Sequence, residues 1–170
     1  MSIVKIIPEI KILGEPILRR KAKPLKYISE TERKIFEEMA RIMHKAEGIG
    51  IAANQIGIDK QMLVLDIGHG VMMLANPKII KKEGVDTLEE GCLSIPGIII
   101  KVRRPKKIVV ECLDKDNCVI KFEAVDILSR ALQHEIDHLN GKLIIDYAGW
   151  RQRLMLRKKI KQLKRQASFR

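Results

Sequence analysis

The sequence predicts an α+β protein in which antiparallel β-sheets pack around a central helix that carries an H-E-x-x-H motif. Three observations favour this architecture: an amphipathic segment at residues 29–46, short β-like segments between residues 61 and 124, and a second helical segment at residues 124–140. Successive short strands pair as an antiparallel sheet, and a helix buries its apolar stripe against another element. A basic segment, residues 151–170, is predicted as a C-terminal helix.

The length and composition indicate a single globular unit. With 170 residues, of which 46% are hydrophobic, the chain can bury one core. We expect residues 1–150 to form one domain and residues 151–170 to be a helical extension of it. Charged residues and a proline interrupt the first 16 residues, so they lack the apolar core of a signal peptide, and no stretch is apolar enough to span a membrane. Three cysteines are too few for a disulfide framework and favour a reducing compartment, so we expect the cytoplasm.

The first helix is predicted at residues 29–46. Ser29 stands at the N-cap position, acidic residues follow in the first turn, and apolar residues repeat at helical spacing at Ile35, Met39, Ile42 and Met43. The next segment, GIGIAANQIG at residues 48–57, is punctuated by glycine and has small side chains. We therefore expect neither a regular strand nor a regular helix there.

The β-like segments follow one another between residues 61 and 124. They are residues 61–67, 71–80, 98–105, 107–113 and 119–124, and turn sequences separate them at residues 68–70 and 114–117. Residues 143–147, LIIDY, are also strand-like. The helix at residues 124–140 is predicted from the spacing of Ile127, Leu128, Ala131 and Leu132, and Gly141 stands where a helix C-cap is expected.

The H-E-x-x-H motif is the strongest chemical signal in the chain. His134 and His138 lie four residues apart, so both can reach one metal ion from the same helix face, and Glu135 beside them suits a general base. Taken alone, such a pair is as often an exposed polar face of a helix. A catalytic metal needs a third protein ligand and an open position, and upstream Cys92 offers a thiolate that could complete the set. Cys92 taken alone is better read as an inert buried thiol.

Three separated blocks make the chain similar to the peptide deformylases. GIGIAANQ at Gly48–Gln55 resembles the first block of that family, EGCLS at Glu90–Ser94 the second and QHEIDH at Gln133–His138 the third. The flanking phrases LGEPILRRKA and ANPKI are also similar to the family, so the resemblance covers nearly the whole chain. It implies an α+β metallohydrolase that removes the N-formyl group from nascent polypeptides, with residues 1–150 as the catalytic domain.

The resemblance also implies the roles of the site residues. Cys92, His134 and His138 would hold one metal ion, with water in the fourth place. The ion implied is Fe2+ in the cell, with Zn2+, Ni2+ or Co2+ possible in preparations. Glu135 would take the proton from the water that attacks the formyl carbon, and would then give it to the departing amine. The side-chain amide of Gln55 and the backbone N-H of Leu93 would stabilise the negative charge that develops on the formyl oxygen.

The resemblance further implies how the peptide binds. Gly50 and Gly91 would let the peptide backbone lie close to the cleft walls as an added strand. The methionine side chain would occupy an apolar pocket formed by Ile49, Leu88 and Ala131, although each of these is also consistent with ordinary core packing. For Gly48, an ordinary turn is as good an interpretation as a close approach of the peptide backbone.

Three further positions complete the expectations. Asn54 fills a position that varies in the family and does not touch the proposed chemistry, and Ile99 stands where some relatives have arginine or tyrosine. Arg104 is expected near the cleft in an exposed pair with Glu90, which would add little stability.

The basic tail leaves two interpretations open. Residues 151–170 contain nine lysines or arginines and no acid, which is most of the net charge of +12, and Leu154, Leu156, Ile160 and Leu163 are spaced as one apolar face. The tail is either a solvated amphipathic helix that covers some core or a contact to ribosomal RNA near the exit tunnel. The expected partners are N-formylmethionyl nascent peptides. We expect a monomer without a membrane partner, in the bacterial cytoplasm or in an organelle if the source is a eukaryote.

Overall fold

A computed structural model describes residues 10–168. Residues 1–9 and 169–170, parts of the predicted ranges 1–150 and 151–170, lie outside the described residues. Within the described range the helices are α1 (Glu30–Lys45), α2 (Asp126–Leu139) and α3 (Trp150–Ala167), and short 3-10 helices occur at Pro16–Arg19, Ala53–Ile56 and Ile144–Tyr147. The strands are β1 (Gly50–Ala52), β2 (Met62–Leu65), β3 (Met72–Glu83), β4 (Asp86–Glu90), β5 (Ile100–Arg104), β6 (Lys107–Asp114) and β7 (Val119–Val125).

Two antiparallel sheets are formed by these strands. The larger has five strands in the order β1-β2-β3-β6-β7, and the smaller consists of β4 and β5. The register pairs Met62 with Ala75, Val110 with Phe122 and Leu88 with Val102. Because β3 has irregular register against β6 near Lys78 and Lys81, the long strand bends along its partner. The predicted α+β architecture with antiparallel sheets is confirmed. No described helix is both long and apolar enough to cross a bilayer.

The first helix begins where the sequence predicts. The Ser29 hydroxyl accepts a hydrogen bond from a backbone N-H of the first turn, and the Glu32 carboxylate accepts one from the Ser29 N-H, which together form a capping box. One face of α1 buries Phe36, Met39 and Met43 against β1 and β2. Each large apolar side chain buried in this way contributes about 2 kcal/mol.

The helix that carries the H-E-x-x-H motif packs on the five-stranded sheet. Its apolar stripe contacts buried sheet residues, and the cluster on the α2 side is Ala131, Leu132, Ile136 and Leu139. The helix ends before Gly141, whose φ of +73° favours glycine, and a Cβ there would lie 2.5 Å from the carbonyl oxygen of Arg19. This burial holds His134, Glu135 and His138 on a rigid element.

Three segments differ from the sequence-based expectations. Residues 48–57 contain the three-residue strand β1, so the expectation that no strand occurs there was wrong. The 3-10 helix Ala53–Ile56 that follows has only four residues and is not a regular α-helix, as expected. LIIDY is not a strand but contains the 3-10 helix Ile144–Tyr147, because its apolar side chains enter a local core instead of a sheet ladder. β4 was not predicted, since its sequence DTLEE is polar and lacks an apolar alternation.

The C-terminal helix α3 contributes to the core along part of its length. Leu163 is buried and Leu156 and Ile160 are partly buried in a cluster that includes Leu18 and Ile100. Leu154 does not share this face and is 62% exposed, so its assignment to the apolar face was wrong. The basic residues of α3 all lie on the exposed surface.

Candidate metal centre and active site

Three side chains with metal-ligand chemistry converge at one end of α2. The ligand atoms of Cys92, His134 and His138 all lie within 4.8 Å of one another, and among residues 10–168 they form the one such group. Both histidines come from consecutive turns of α2, with ring centroids 5.1 Å apart. Cys92 comes from the turn after β4, where its Sγ lies 3.1 Å from Nε2 of His138.

The chemistry of this donor set fits a divalent metal ion. The Nδ1 atom of His134 lies 3.1 Å from Oε2 of Glu90, which leaves Nε2 of His134 for a metal. Burial and the nearby charge of His134 hold the pKa of His138 well below 6.5, so that its imidazole is neutral and keeps a free lone pair. A thiolate with two imidazoles and an adjoining cavity is the pattern of a catalytic site with an open coordination position.

A buried ionic cluster surrounds Glu90. Arg104 donates to both carboxylate oxygens at 2.7 and 2.9 Å, and Arg130 donates to Oε1 at 2.7 Å. Burial alone would raise the pKa of Glu90, but hydrogen bonds with His134 and Arg104 outweigh it and lower the pKa to about 2. The pair of Glu90 and Arg104 was expected to be exposed; this was wrong, because the side chains are only 6% and 3% exposed. Two arginines are held there because a buried carboxylate needs charged partners.

Glu135 is buried next to the histidines and has few hydrogen-bond partners among the described residues. Its Oε2 atom has no hydrogen-bond partner in the described part of the chain. Because burial disfavours the charged form, the pKa of Glu135 rises to about 7. Gly50 makes room for this carboxylate: a Cβ there would lie 2.5 Å from Oε1 of Glu135 and 2.8 Å from the Leu65 side chain. The carboxylate of Glu135 therefore occupies the space that a side chain at position 50 would fill.

The amide of Gln55 has a defined orientation. Its Oε1 accepts a hydrogen bond from the Ala52 N-H at 2.8 Å, so Nε2 must point the other way, towards Ser94 Oγ at 3.1 Å and Cys92 Sγ at 3.8 Å. The N-H of Leu93, in the turn between Cys92 and Ile95, has no hydrogen-bond partner among the described residues. Two N-H donors therefore lie beside the three candidate ligands.

A cavity of about 420 Å³ opens onto these groups. Its lining includes Ile49, Gly91 and Ala131 of the expected substrate-binding residues, whereas Leu88 lies outside the lining and is 47% exposed. The cavity also contacts Gly48, Gly50, Gln55, Cys92, Leu93, His134 and Glu135. A Cβ on Gly91 would meet no atom within 4 Å, so this glycine faces open space. Both β1 and β4 are edge strands near the cavity, and an unpaired edge can accept an extended peptide.

Two residues at the site were not recognised from the sequence. Asn54, which was expected not to touch the proposed chemistry, donates from Nδ2 to the backbone carbonyl of His138 at 2.5 Å and so contacts the helix that carries the ligands. Arg130 joins α2 to the smaller sheet through Glu90 and the Val102 carbonyl. The position of Asn54 next to Gln55 was a usable signal. No sequence signal pointed to Arg130, because its partners are 28 or more residues away.

Comparison of the sequence with known proteins finds peptide deformylases. The sequence matches the family model described as polypeptide deformylase over residues 7–153. The peptide deformylase of Thermoanaerobacter pseudethanolicus is 47% identical over 139 residues, which cover 82% of this chain and 87% of that protein. That of Syntrophomonas wolfei is 46% identical over 148 residues, 87% of this chain and 95% of the relative.

Solved structures agree with the sequence comparisons. The crystal structure of a peptide deformylase from Legionella pneumophila has a TM-score of 0.88 and 35% identity, and the match covers 97% of this chain and 99% of that one. The peptide deformylase from Thermus thermophilus gives a TM-score of 0.89 and 33% identity, with 95% and 99% covered. The chain therefore belongs to the polypeptide deformylase family, the metal-dependent hydrolases that remove the N-formyl group from nascent polypeptides.

Proposed function

We propose that this chain hydrolyses the formyl amide of N-formylmethionyl peptides, releasing formate and a free amino terminus, with the site residues in the roles given below. The observation that carries the proposal is the convergence of Cys92, His134 and His138 within 4.8 Å, beside Oε2 of Glu135, which has no hydrogen-bond partner among residues 10–168. The amide of Gln55 borders the same cavity. A ligand set, a base and an oxyanion donor in one cavity are what amide hydrolysis requires.

Cys92, His134 and His138 are proposed to hold one metal ion. When bound, such an ion polarises the formyl oxygen and lowers the pKa of water. The identity we propose is Fe2+ in the cell, with Zn2+, Ni2+ or Co2+ able to replace it, because one thiolate and two imidazoles do not select among first-row metals by affinity alone. In the metal-free protein burial would lower the pKa of His134, but hydrogen bonds to Cys92 and Glu90 raise it well above 6.5. Metal binding should therefore release a proton.

Glu135 is proposed to act first as a base and then as an acid. It accepts a proton from water as the water oxygen attacks the formyl carbon. When the carbon-nitrogen bond breaks, the same proton passes to the departing amine nitrogen. A pKa of about 7, caused by burial, suits both transfers at neutral pH because neither the charged nor the neutral form is strongly preferred.

Gln55 and Leu93 are proposed to bind the formyl oxygen as it becomes negative. Their support is the orientation of the Gln55 amide, with Nε2 on the side of Cys92, and the N-H of Leu93, which has no partner in the part of the chain that the structure describes. Donors that are already oriented need no reorganisation during the reaction, and each contributes about 3 kcal/mol or more to transition-state stabilisation.

The substrate is proposed to bind as an extended strand along the cavity. Gly50 and Gly91 lie in or beside the edge strands β1 and β4, and Gly91 leaves open space for a peptide backbone. The methionine side chain is proposed to contact Ile49 and Ala131, which line the cavity. Leu88 is proposed to contribute from β4 once a peptide covers its exposed side chain. Ile99 is 59% exposed and offers no charge to a downstream substrate residue.

The basic helix α3 is proposed to contact ribosomal RNA near the exit of the nascent chain. Its support is a surface of exposed arginines and lysines with no acidic residue on the helix, which suits a phosphate backbone. We further propose that the protein acts as a monomer, since one chain contains every group of the site. The proposed location is the bacterial cytoplasm, or an organelle if the source is a eukaryote; the relatives compared above are from bacteria.

The test is formate release from formyl-Met-Ala-Ser by anaerobically prepared, iron-loaded and nickel-loaded protein. We expect formate with both metals, and no cleavage of an unformylated peptide at internal bonds. The same assay with Glu135→Ala, at equal metal content, should give no formate. Cleavage of internal bonds would instead indicate an endopeptidase, and metal-loaded protein without formate release would contradict the proposal.

A further inference from the structure

We propose that Ser94 is a positioning residue: its hydroxyl accepts one N-H of the Gln55 amide and thereby directs the other N-H towards the formyl oxygen. The inference rests on the proposed function, in which Gln55 stabilises the developing oxyanion. Ser94 is the last residue of the EGCLS block, and none of the roles assigned above uses it.

The Gln55 amide is held at both ends. The Ala52 N-H donates to Oε1 at 2.8 Å, and Nε2 donates to Ser94 Oγ at 3.1 Å. Gln55 and Ser94 are 1% and 0% exposed, so water does not compete for these contacts. A primary amide that is anchored through both its oxygen and its nitrogen can neither flip nor rotate without breaking a buried hydrogen bond.

The second N-H of the amide is thereby left for the reaction. The two N-H bonds of a planar amide diverge, so the one that Ser94 does not accept points elsewhere. In this structure it donates a long hydrogen bond to Cys92 Sγ at 3.8 Å, on the side of the three candidate ligands. Sulfur is a weak acceptor, so a formyl oxygen can take over this N-H. Its direction is set before substrate arrives, which is the condition for electrostatic stabilisation of a transition state.

Ser94 is itself fixed by the turn that carries two other site residues. The Ile95 N-H donates to the Cys92 carbonyl at 2.9 Å, which closes a turn with Leu93 and Ser94 at its centre. The Ser94 carbonyl accepts the Leu13 N-H at 2.9 Å. One short turn therefore supplies a candidate ligand, the Leu93 donor and the anchor of Gln55, and keeps the three in register.

The first test is Ser94→Ala in the iron-loaded enzyme. Because the oxyanion forms only in the transition state, we expect kcat to fall about tenfold, as for loss of one buried hydrogen bond, with KM and metal content unchanged. The same change is then made in a Gln55→Met background. If Ser94 acts through Gln55, the second substitution should have no further effect there. An equal loss in both backgrounds would show that Ser94 acts independently and would overturn the inference.

A matched pair of variants separates the hydroxyl from packing. Ser94→Thr and Ser94→Val add nearly the same volume to a fully buried position and differ in the hydroxyl. Any folding defect is common to both, so kcat should be about tenfold higher for the threonine variant than for the valine variant. Equal kcat values in the two variants would contradict the role of the hydroxyl.

A readout that does not depend on activity is the NMR signal of the Gln55 side-chain amide in zinc-loaded protein, assigned by its loss in Gln55→Met. The wild-type amide should show two separated protons with slow solvent exchange. Ser94→Ala should bring the two shifts together and speed exchange. An unchanged Gln55 signal in Ser94→Ala would overturn the inference even in an active deformylase, whereas an inactive wild-type enzyme would instead remove the proposed function.

Discussion

The Oε2 atom of Glu90 lies 3.1 Å from Nδ1 of His134, so a carboxylate from β4 orients a histidine on α2. The same carboxylate accepts hydrogen bonds from Arg104 and Arg130. A carboxylate behind a ligating histidine fixes its tautomer and ring orientation and strengthens it as a metal ligand. The wall of the cavity and the candidate metal centre therefore share one buried ionic cluster. A substitution at Glu90 should affect both.

Glu90→Gln should weaken both metal binding and folding. We expect the metal affinity to fall by about 10 to 100-fold, because His134 loses its charged partner. The free energy of unfolding of the metal-free protein should fall by about 3 kcal/mol, because two guanidinium groups are left in a buried site without the carboxylate. Competition with a zinc chelator and urea unfolding measure the two effects. The control is the exposed neighbour Glu89→Gln, which should change stability by less than about 0.5 kcal/mol; equal effects of the two variants would contradict the cluster.

Glu135→Gln should abolish most of the activity while the metal stays bound. Glutamine has nearly the same shape but cannot accept and return a proton, so formate release should fall by at least about 100-fold. Metal analysis of the purified variant should give one ion per chain, as in the wild type. Glu111→Gln, an exposed position on β6, serves as the control and should leave kcat unchanged. Loss of metal from Glu135→Gln would assign Glu135 a role in the metal site instead of proton transfer.

Gly50→Ala should lower the stability of the protein, whereas Gly91→Ala should leave it unchanged. A Cβ on Gly50 would lie 2.5 Å from Oε1 of Glu135, so the alanine should displace the carboxylate and lower the free energy of unfolding by about 1 to 3 kcal/mol. A Cβ on Gly91 would meet nothing within 4 Å, so that variant should unfold like the wild type. For Gly91→Ala we expect only a higher KM, because the added methyl group lies in the peptide's path. Urea unfolding and steady-state kinetics distinguish the two variants.

The sequence was informative where the structure depends on local geometry. Helical spacing alone places His134 and His138 on one face, and the capping box at Ser29 marks the start of α1. The approach of Cys92 to these histidines depends on the packing of a distant turn, and it could be inferred only through the family resemblance. The burial of Glu90 was missed because four of the five residues of β4 are polar and the partners of Glu90 come from two other elements.

The capping box at Ser29 and Glu32 should make stability depend on pH. Hydrogen bonds from Lys60 and Ser29 lower the pKa of Glu32 from 4.5 to about 2. Because the folded pKa lies below the unfolded one, this carboxylate stabilises the fold fully above pH 4.5 and loses its effect as the pH falls towards 2. Glu32→Gln should therefore lower the free energy of unfolding by about 1 to 2 kcal/mol at pH 7, and the difference should shrink across that window. Thermal unfolding from pH 2 to 7 tests this, and Glu30→Gln, which removes an exposed acid of the same helical turn, controls for the loss of one negative charge.

The contribution of α3 to the core determines how its proposed RNA contact can be tested. Truncation after Trp150 would remove Leu163, Leu156 and Ile160 from the cluster around Ile100. Loss of these side chains should cost several kcal/mol, at about 2 kcal/mol for each large apolar group. A truncated chain that fails to bind ribosomes would therefore also be a partly unfolded chain. The charges must instead be changed while the helix is kept.

The charge variant that separates the two effects is Arg157, Lys158 and Lys161 each replaced by serine. All three side chains are exposed, so the free energy of unfolding should change by less than about 1 kcal/mol. If α3 contacts ribosomal RNA, the affinity for ribosomes should fall, and the slope of log affinity against log salt should become shallower by about 2 to 3 because fewer counterions are released. Replacing Arg20, Lys21 and Lys26, three exposed cations outside α3, removes the same net charge and should leave the affinity and its salt slope nearly unchanged. Equal losses in both triple variants would mean that net charge alone attracts this protein to the ribosome, and that α3 is a helix whose inner face completes the core while its outer face is only solvated.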